Sequence, residues 1–217
     1  MALVLAVDTS AKPVSCALAQ DERVLASFFV NTGLTHSQTL MPMIESTLRV
    51  TEHTVADLDA VAVNAGPGSF TGVRIGVSAV KGIAFMDNLP CIAVSTLEAM
   101  AENVAATPAS IICCLMDARC QQVYGALFER DADGVVHRLT EDEALTIDEM
   151  GERIVALNRS VILVGDGSEI LDYDGNPEKP LEWCHYIGSA NQPYQDADTP
   201  LETSLHERKR DYIKEPA

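Results

Sequence analysis

One glycine-rich segment, Asn64–Gly76, constrains the fold more than any other part of the sequence. The run Leu58–Asn64 before it is rich in Val and Ala and lacks the polar alternation of a half-exposed strand, which is typical of a buried parallel strand. Gly66 and Gly68 permit backbone angles that are closed to other residues, and Pro67 fixes one φ angle between them. The segment therefore predicts a tight turn between a buried strand and a helix, as in an α/β fold.

Two phosphate-binding motifs do not match this turn. A Walker loop requires a Lys and then a Ser or Thr directly after its second Gly, and no Lys stands there. A dinucleotide-binding loop requires the spacing G-x-G-x-x-G, and the loop Gly66–Gly72 is one residue too long for it. We expect a structural turn, with Ser69 or Thr71 capping the helix that follows.

The helix after the turn contains three glycines. Gly72, Gly76 and Gly82 each cost about 1 kcal/mol relative to Ala in a helix interior, so another interaction should offset them. Gly72 and Gly76 share a helical face with Ala79 and Ile83, which forms a smooth groove for close approach. The sequence allows two interpretations of this face. It packs against the chain's own sheet, or it contacts another protein.

A second amphipathic helix is predicted over His36–Leu48. Thr35 and Gln38 form a capping box at its start, and Pro42 is expected to kink the helix. His36 has no second His at metal-ligand spacing, so a polar surface role is favoured over a ligand role. The apolar face of this helix consists of residues at helical spacing: Leu40, Met43, Ile44, Thr47 and Leu48.

The chain repeats one order of elements. The strand Leu3–Val7 ends in Asp8 and a turn, and the strand Ile111–Met116 ends in Asp117 and a turn. Two further strands are predicted after each turn, and the pattern restarts near Pro108. The repeat predicts a duplicated α/β fold with two lobes of ββαβ type.

Specific motifs in this chain resemble a known family. The run Ala65–Gly76 with the strand before it resembles the signature of the TsaB (YeaZ) family, and the Asp117–Arg119 segment with Val123 and Tyr124 is also similar. That family is the accessory subunit of the bacterial machinery that makes threonylcarbamoyladenosine in tRNA. The resemblance implies the fold shared by actin, Hsp70 and sugar kinases (ASKHA, RNase H-like).

The resemblance also implies a domain division. We expect an N-terminal lobe over residues 1–108 and a smaller C-terminal lobe over residues 109–217. From Glu169 onward the sequence is rich in Pro, Asp, Asn and Gln, and the resemblance fades. A short charged helix over Leu201–Lys214 is one reading of this divergent tail.

The family resemblance implies a noncatalytic scaffold that pairs with a TsaD-type paralogue and a TsaE-type ATPase. TsaD transfers a threonylcarbamoyl group to N6 of the tRNA adenosine next to the anticodon. A homodimer is expected when the chain is alone. The two helices above would supply the partner interface, formed by His36, Leu40, Met43, Ile44, Thr71, Gly72, Ile75, Gly76, Ala79 and Ile83.

Catalytic and metal-binding residues are not expected. TsaD carries two His ligands in an H-x-E-x-H pattern at a position where this chain has Thr96, Glu98 and Met100. One carboxylate does not make that metal site. Ser95 and Glu98 instead predict a capping box that opens a helix.

The resemblance also implies a nucleotide site. In the superfamily the first hairpin contacts nucleotide phosphates, which would assign Asp8, Thr9 and Ser10 to a degenerate phosphate loop, with ATP or ADP at a shared interface in the complex. An ordinary turn is the alternative. A rival function, an ATP-dependent kinase or a metal-dependent nuclease of the same superfamily, would use Asp8 and Asp117 as metal carboxylates.

Composition restricts the partners. The formal net charge of −17 opposes direct binding to nucleic acid, so tRNA is expected to be reached only through the complex. The start of the sequence has no basic segment and no long apolar run, which predicts no membrane span and a cytoplasmic location. The 6 cysteines include no C-x-x-C pair, which is typical of reduced thiols.

Overall fold

A computed structural model describes residues 1–104 and 111–172, and the backbone of 184–187. The chain divides into two units, Met1–Ala99 and Met100–Ala217.

The first unit is built on a five-stranded sheet. Its strands are β1 (Leu3–Asp8), β2 (Val14–Gln20), β3 (Arg23–Val30), β4 (Ala60–Gly66) and β5 (Cys91–Ser95), in the order β3-β2-β1-β4-β5. β1, β2 and β3 form antiparallel hairpins, whereas β4 runs parallel to β1 and β5 parallel to β4. Since β4 pairs directly with β1, the residues that follow these two strands lie at the same edge of the sheet.

Two helices cover one face of this sheet. They are α1 (His36–Val50) and α2 (Phe70–Asp87), and the short α3 (Thr96–Glu102) follows β5. The two long helices contact each other and contribute to one apolar cluster, so they lie on the same side of the sheet. The cluster alternates along each strand and includes Leu3, Leu5, Val7, Cys16, Leu18, Val61, Val63, Leu40, Ile44 and Val80.

The start of α1 differs from its prediction. Thr35 is the N-cap, but its side chain makes no capping hydrogen bond, and its hydroxyl lies 3.3 Å from the hydroxyl of Ser37. The predicted capping box with Gln38 is therefore wrong. The helix continues through Pro42, which is exposed, and ends at Val50. Its buried apolar face extends on both sides of the proline.

The second unit repeats the first. Its strands are β6 (Ile111–Arg119), β7 (Gln122–Arg130), β8 (Val136–Arg138), β9 (Glu143–Thr146), β10 (Val161–Val164) and β11 (Cys184–Ile187). The sheet order β11-β10-β6-β7-β8 is the order of the first sheet, with β6 in the place of β1 and β10 in the place of β4. β10 is parallel to β6, and β6 and β7 form an antiparallel hairpin. This match confirms the predicted duplication.

Two elements of the second unit were not predicted. β9 pairs with the first half of β7, so β8 and β9 together take the place of β3. The sequence predicts a helix near Asp148–Asn158, where α4 (Ile147–Leu157) lies, and a strand Val161–Val164 that ends in a turn at Gly165–Gly167. The helix α5 (Gly167–Asp172) follows β10 in place of a plain turn. The possible helix over Leu201–Lys214 falls outside the described residues.

The boundary between the units lies earlier than the predicted residue 108. It falls inside α3, between Ala99 and Met100. Arg130 of β7 donates hydrogen bonds to the carbonyls of Ala101 and Glu102, at 3.3 and 3.0 Å. These bonds lie within the second unit and join the end of α3 to β7, a contact that the local sequence did not indicate.

None of the helices in the described part of the chain combines the length and the apolar content that crossing a bilayer requires.

α4 begins with a capping box that provides a test of the second unit. The hydroxyl of Thr146 accepts from the amide of Glu149 over 3.2 Å, and the Glu149 carboxylate accepts from the amide and hydroxyl of Thr146. These last two bonds lower the pKa of Glu149. Their stabilisation is therefore present above the ordinary pKa of Glu and is lost as pH falls through the lowered value.

We expect Thr146→Ala to lower the free energy of unfolding by about 1 kcal/mol at pH 7. Urea denaturation measures this change, and the difference from wild type should shrink as Glu149 becomes protonated. Thr32→Ala, in an exposed loop, is the control and should change stability by less than about 0.5 kcal/mol. Equal stability of the two variants at pH 7 would contradict the cap.

Candidate functional site

The turn after β1 packs directly on the start of α2. The hydroxyl of Thr9 donates to the carbonyl of Gly72 over 2.7 Å, and the amide of Ser69 donates to the carbonyl of Ser10 over 2.7 Å. Thr9 and Ser10 are 0% and 1% exposed. Ser69 is also the N-cap of α2, since its hydroxyl accepts from the amide of Gly72 at 3.3 Å. The contact between these two segments is called the turn–helix contact below.

Three glycines make the turn–helix contact possible. A Cβ atom at Gly72 would collide with the carbonyl of Thr9, and one at Gly76 would collide with its hydroxyl. At Gly68 the φ angle is +155°, and a Cβ atom would lie 2.5 Å from the carbonyl oxygen of Ser10. Packing inside the chain therefore explains Gly72 and Gly76, which the interface prediction had placed in contact with a partner.

The predicted phosphate loop is also used internally. One carboxylate oxygen of Asp8 accepts from the amide of Ser10 over 2.8 Å and from its hydroxyl over 2.6 Å. The Thr9 hydroxyl donates to Gly72. The two hydroxyls and the Ser10 amide are thus engaged within the turn, which favours the alternative of an ordinary turn.

The α1 residues of the predicted interface lie in the interior. Leu40, Met43 and Ile44 are buried in the first apolar cluster, which corrects their assignment to a partner surface. His36 is half-buried, and its Nε2 donates to the carbonyl of Ala11 over 3.0 Å. This hydrogen bond connects α1 to the turn after β1.

The α2 residues of the predicted interface differ in exposure. Ile75, Ala79 and Ile83 are half-buried and pack against the same cluster, and Thr71 is exposed. The face predicted to meet a partner is therefore the face that meets the sheet and α1. The sequence pattern predicted the helix correctly but took its buried face for the exposed face.

The opposite side of α2 carries the exposed side chains. We call it the outer stripe; its residues recur at helical spacing and are Phe70, Arg74, Ser78, Lys81 and Phe85. Phe70 and Phe85 are 74% and 81% exposed, and the neighbouring Met86 is 82% exposed. Apolar side chains exposed to this extent along one helix are characteristic of a contact surface.

One end of the outer stripe has a defined shape. The guanidinium carbon of Arg74 lies 5.1 Å from the ring centroid of Phe70, which is a cation–π contact. A shallow groove of about 370 Å³ lies here, lined by Phe70, Thr71, Arg74, Ile75 and Ser78. Thr71 and Ile75 are the two predicted interface residues that reach this groove.

α3 occupies the place of the expected metal motif. The hydroxyl of Ser95 accepts from the amide of Glu98 over 3.2 Å, which is one of the two bonds of the predicted capping box. Thr96 and Met100 are 3% and 7% exposed. Within residues 1–104 and 111–172, no group of three or more His, Cys, Asp and Glu side chains is arranged to hold a metal ion.

Comparison with known proteins identifies the family. A family model described as TsaD, tRNA N6-adenosine threonylcarbamoyltransferase, matches residues 31–161. The tRNA threonylcarbamoyladenosine biosynthesis protein TsaB of Escherichia coli is 36% identical over 165 residues, which cover 76% of this chain and 71% of that protein. The chain belongs to the TsaB family.

Other TsaB relatives support the same assignment. TsaB of Bacillus subtilis is 32% identical over 189 residues, which cover 87% of this chain and 81% of that protein. The solved structure of YeaZ from Pseudomonas aeruginosa matches with a TM-score of 0.70 and 27% identity over 88% of each chain. A Pseudomonas aeruginosa protein described as similar to peptidase YEAZ matches with a TM-score of 0.74, 28% identity and coverage of 87% and 85%. The predicted family and the predicted duplicated fold are both confirmed.

The turn–helix contact gives a prediction within one helix. Gly76→Ala should lower the free energy of unfolding by about 1–3 kcal/mol, because the new Cβ atom overlaps the Thr9 hydroxyl. Gly82→Ala is the matched control, since nothing lies within 4 Å of its Cβ position, and it should raise stability by up to about 1 kcal/mol. Chemical denaturation of both variants measures the difference. Stabilisation by both substitutions would show that Gly76 does not face Thr9.

Proposed function

We propose that the chain is a noncatalytic subunit of the machinery that makes threonylcarbamoyladenosine in tRNA, and that it acts by pairing with a TsaD-type protein. Family membership supports the pathway, since the relatives of this family are named tRNA threonylcarbamoyladenosine biosynthesis proteins. The observation that carries the pairing is the outer stripe of α2, which exposes two aromatic rings beside an exposed methionine.

The outer stripe suits a protein contact for energetic reasons. Burying apolar surface contributes about 25 cal/mol per Å², and aromatic side chains dominate many interfaces. Phe70 and Phe85 stand at the two ends of the helix and would anchor a partner along its whole length. The turn–helix contact below keeps α2 rigid, which limits the ordering cost of association.

The noncatalytic role is supported by α3. Thr96 and Met100 stand where the TsaD resemblance places two imidazole ligands, and both are buried. A hydroxyl and a thioether do not replace imidazole at a metal centre of that kind. We therefore assign the transfer chemistry to the partner, with a TsaE-type ATPase as a third component.

The acidic character of the chain supports indirect contact with tRNA. Phosphate groups are neutralised by Lys and Arg, and this chain has 15 such residues against 32 Asp and Glu. Binding of tRNA by the assembled complex then depends on basic surface that the partners provide.

Reconstitution tests the proposal. The purified chain is combined with the TsaD-type and TsaE-type proteins of the same organism, ATP, threonylcarbamoyl-adenylate and unmodified tRNA. Mass spectrometry of the digested tRNA should detect threonylcarbamoyladenosine only when both this chain and the TsaD-type protein are present. Elemental analysis of the chain alone should find less than one zinc or iron ion per chain.

Gel filtration of the same mixture tests the pairing. We expect this chain and the TsaD-type protein to elute together, and the chain alone to bind tRNA with a Kd weaker than about 1 μM at physiological salt. The run without partner also measures the homodimer that the family resemblance implies. Modification by the chain alone, or separate elution of the two proteins, would contradict the proposal.

A further inference from the structure

β3 lies at one edge of the first sheet. In the sheet order β3-β2-β1-β4-β5, it pairs with β2 alone in the part of the chain that the structure describes. Its 8 residues, Arg23–Val30, are all exposed or half-buried, whereas β1 and β2 bury alternate residues. A strand at the edge of a sheet presents backbone N–H and C=O groups to which another strand can hydrogen-bond.

The hydrogen bonds of β2 alternate between its two neighbours. The amide of Asp21, directly after β2, donates to the carbonyl of Ala2 over 2.9 Å, and this pair continues the register of β1 and β2. Every second residue of an antiparallel pair forms such bonds, so Ser15, Ala17 and Ala19 bond to β1. The residues between them bond to β3 instead.

The same alternation determines the direction of the backbone groups in β3. Cys16 of β2 lies opposite Phe28, so the N–H and C=O groups of Phe28 bond to β2. The groups of its neighbours Ser27 and Phe29 therefore point away from β2, to the edge of the sheet. The side chains of both residues are also exposed. A further strand can therefore pair with β3 at Ser27 and Phe29.

Features that block edge pairing are confined to the start of β3. Natural edge strands are commonly protected by charged side chains, proline or a bulge. Arg23 is the first residue of β3, and a register shift between Leu18 and Ala19 of β2 indicates a bulge near it. The remaining part, Ala26–Val30, has no charged residue and no proline. We call Ala26–Val30 the pairing edge.

The pairing edge is complementary to a second copy of itself. In an antiparallel pair centred on Phe28, Ser27 lies opposite Phe29 of the second copy. Ala26 then lies opposite Val30, so that each small side chain meets a larger one on the same face of the sheet. Phe28 meets Phe28, and cross-strand aromatic and apolar pairs stabilise a sheet. The backbones of Ser27 and Phe29 exchange both N–H···O bonds in this register, because both point to the edge.

We propose that two copies of the chain pair antiparallel through Ala26–Val30 and join their five-stranded sheets into one continuous sheet. A second copy fits this edge because the order of small and large side chains matches itself and because the edge carries no charge that requires an opposite charge. α2 packs on β4 and β1, so it lies outside this contact. Edge pairing is therefore separate from association through α2, and it does not depend on the proposed function.

Edge pairing is expected to be weak and salt-dependent. One pair of short strands buries little surface, and interfaces below about 1,200 Å² are typical of weak or transient contacts. The formal net charge of −17 on each copy also opposes association. Pairing should therefore strengthen when sodium chloride is raised, since salt screens this repulsion.

Amide exchange tests the pairing residue by residue. Hydrogen–deuterium exchange of the isotope-labelled full chain is followed by NMR at about 20 μM and about 1 mM protein. The Ser27 and Phe29 amides should exchange at least about threefold more slowly in the concentrated sample, because a second copy then bonds to them. The amides of Phe28 and Val30 bond to β2 and should be protected in both samples.

Two substitutions of Ser27 remove the pairing in different ways. Ser27→Lys places a cation on the edge, near the same cation of the second copy, and Ser27→Pro removes the outward N–H group without removing a bond to β2. In both variants the concentration dependence at Phe29 should be lost, while the Phe28 amide stays protected and so reports an intact sheet. Ser160→Lys makes the same change in charge at an exposed position of the second unit and should keep the wild-type behaviour.

The outcome at two amides decides the proposal. Slower exchange of Ser27 and Phe29 in concentrated wild type, lost in both Ser27 variants, supports edge pairing. Equal exchange of these amides in the dilute and concentrated samples would overturn it, since self-association through another surface does not bond to them. Concentration dependence at Phe29 that persists in Ser27→Lys would overturn it as well.

Discussion

The close approach between the turn after β1 and the start of α2 is the contact on which the first unit depends. Thr9 reaches Gly72 across a sequence separation of 63 residues, and the bond is fully buried. Buried hydroxyl and carbonyl groups are costly without partners, so this bond specifies where α2 begins relative to the sheet. Once the glycine face is held against Thr9, the opposite face of α2 is necessarily directed to solvent.

The second unit uses the same device at the equivalent place. Gly165 and Gly167 follow β10 as the turn glycines follow β4, and a Cβ atom at either would overlap the backbone at Leu115 or Met116 of β6. In the first unit the chain after β4 packs on the turn that follows β1, and in the second unit the chain after β10 packs on β6 itself. Both units therefore use glycines for a close contact between these two chain segments.

Local sequence patterns predicted most of the elements, and the failures were failures of long-range packing. β10 was predicted with its observed bounds, Val161–Val164, because a short apolar run between polar residues is unambiguous. The prediction exchanged the buried and exposed faces of α2. Glycines at helical spacing indicate a close contact, but they do not indicate whether the contacting group belongs to the same chain or to a partner. Arg74 and Lys81 between Phe70 and Phe85 were the available signal for the outer side, since two cations are not placed against a buried sheet without partners. The contact of Arg130 with the carbonyls of Ala101 and Glu102, far away in sequence, was likewise beyond any local pattern.

The central claim is that α2 buries its glycine face and offers its outer stripe to a partner. Hydroxyl-radical footprinting with mass spectrometry measures this directly, because exposed aromatic and methionine side chains are oxidised and covered ones are protected. Phe70, Phe85 and Met86 should be oxidised in the free chain and protected in the complex with the TsaD-type protein, while Phe29 of β3, 45% exposed, should be oxidised in both. Equal oxidation of Phe70 and Phe85 in the free chain and in the complex would contradict the account.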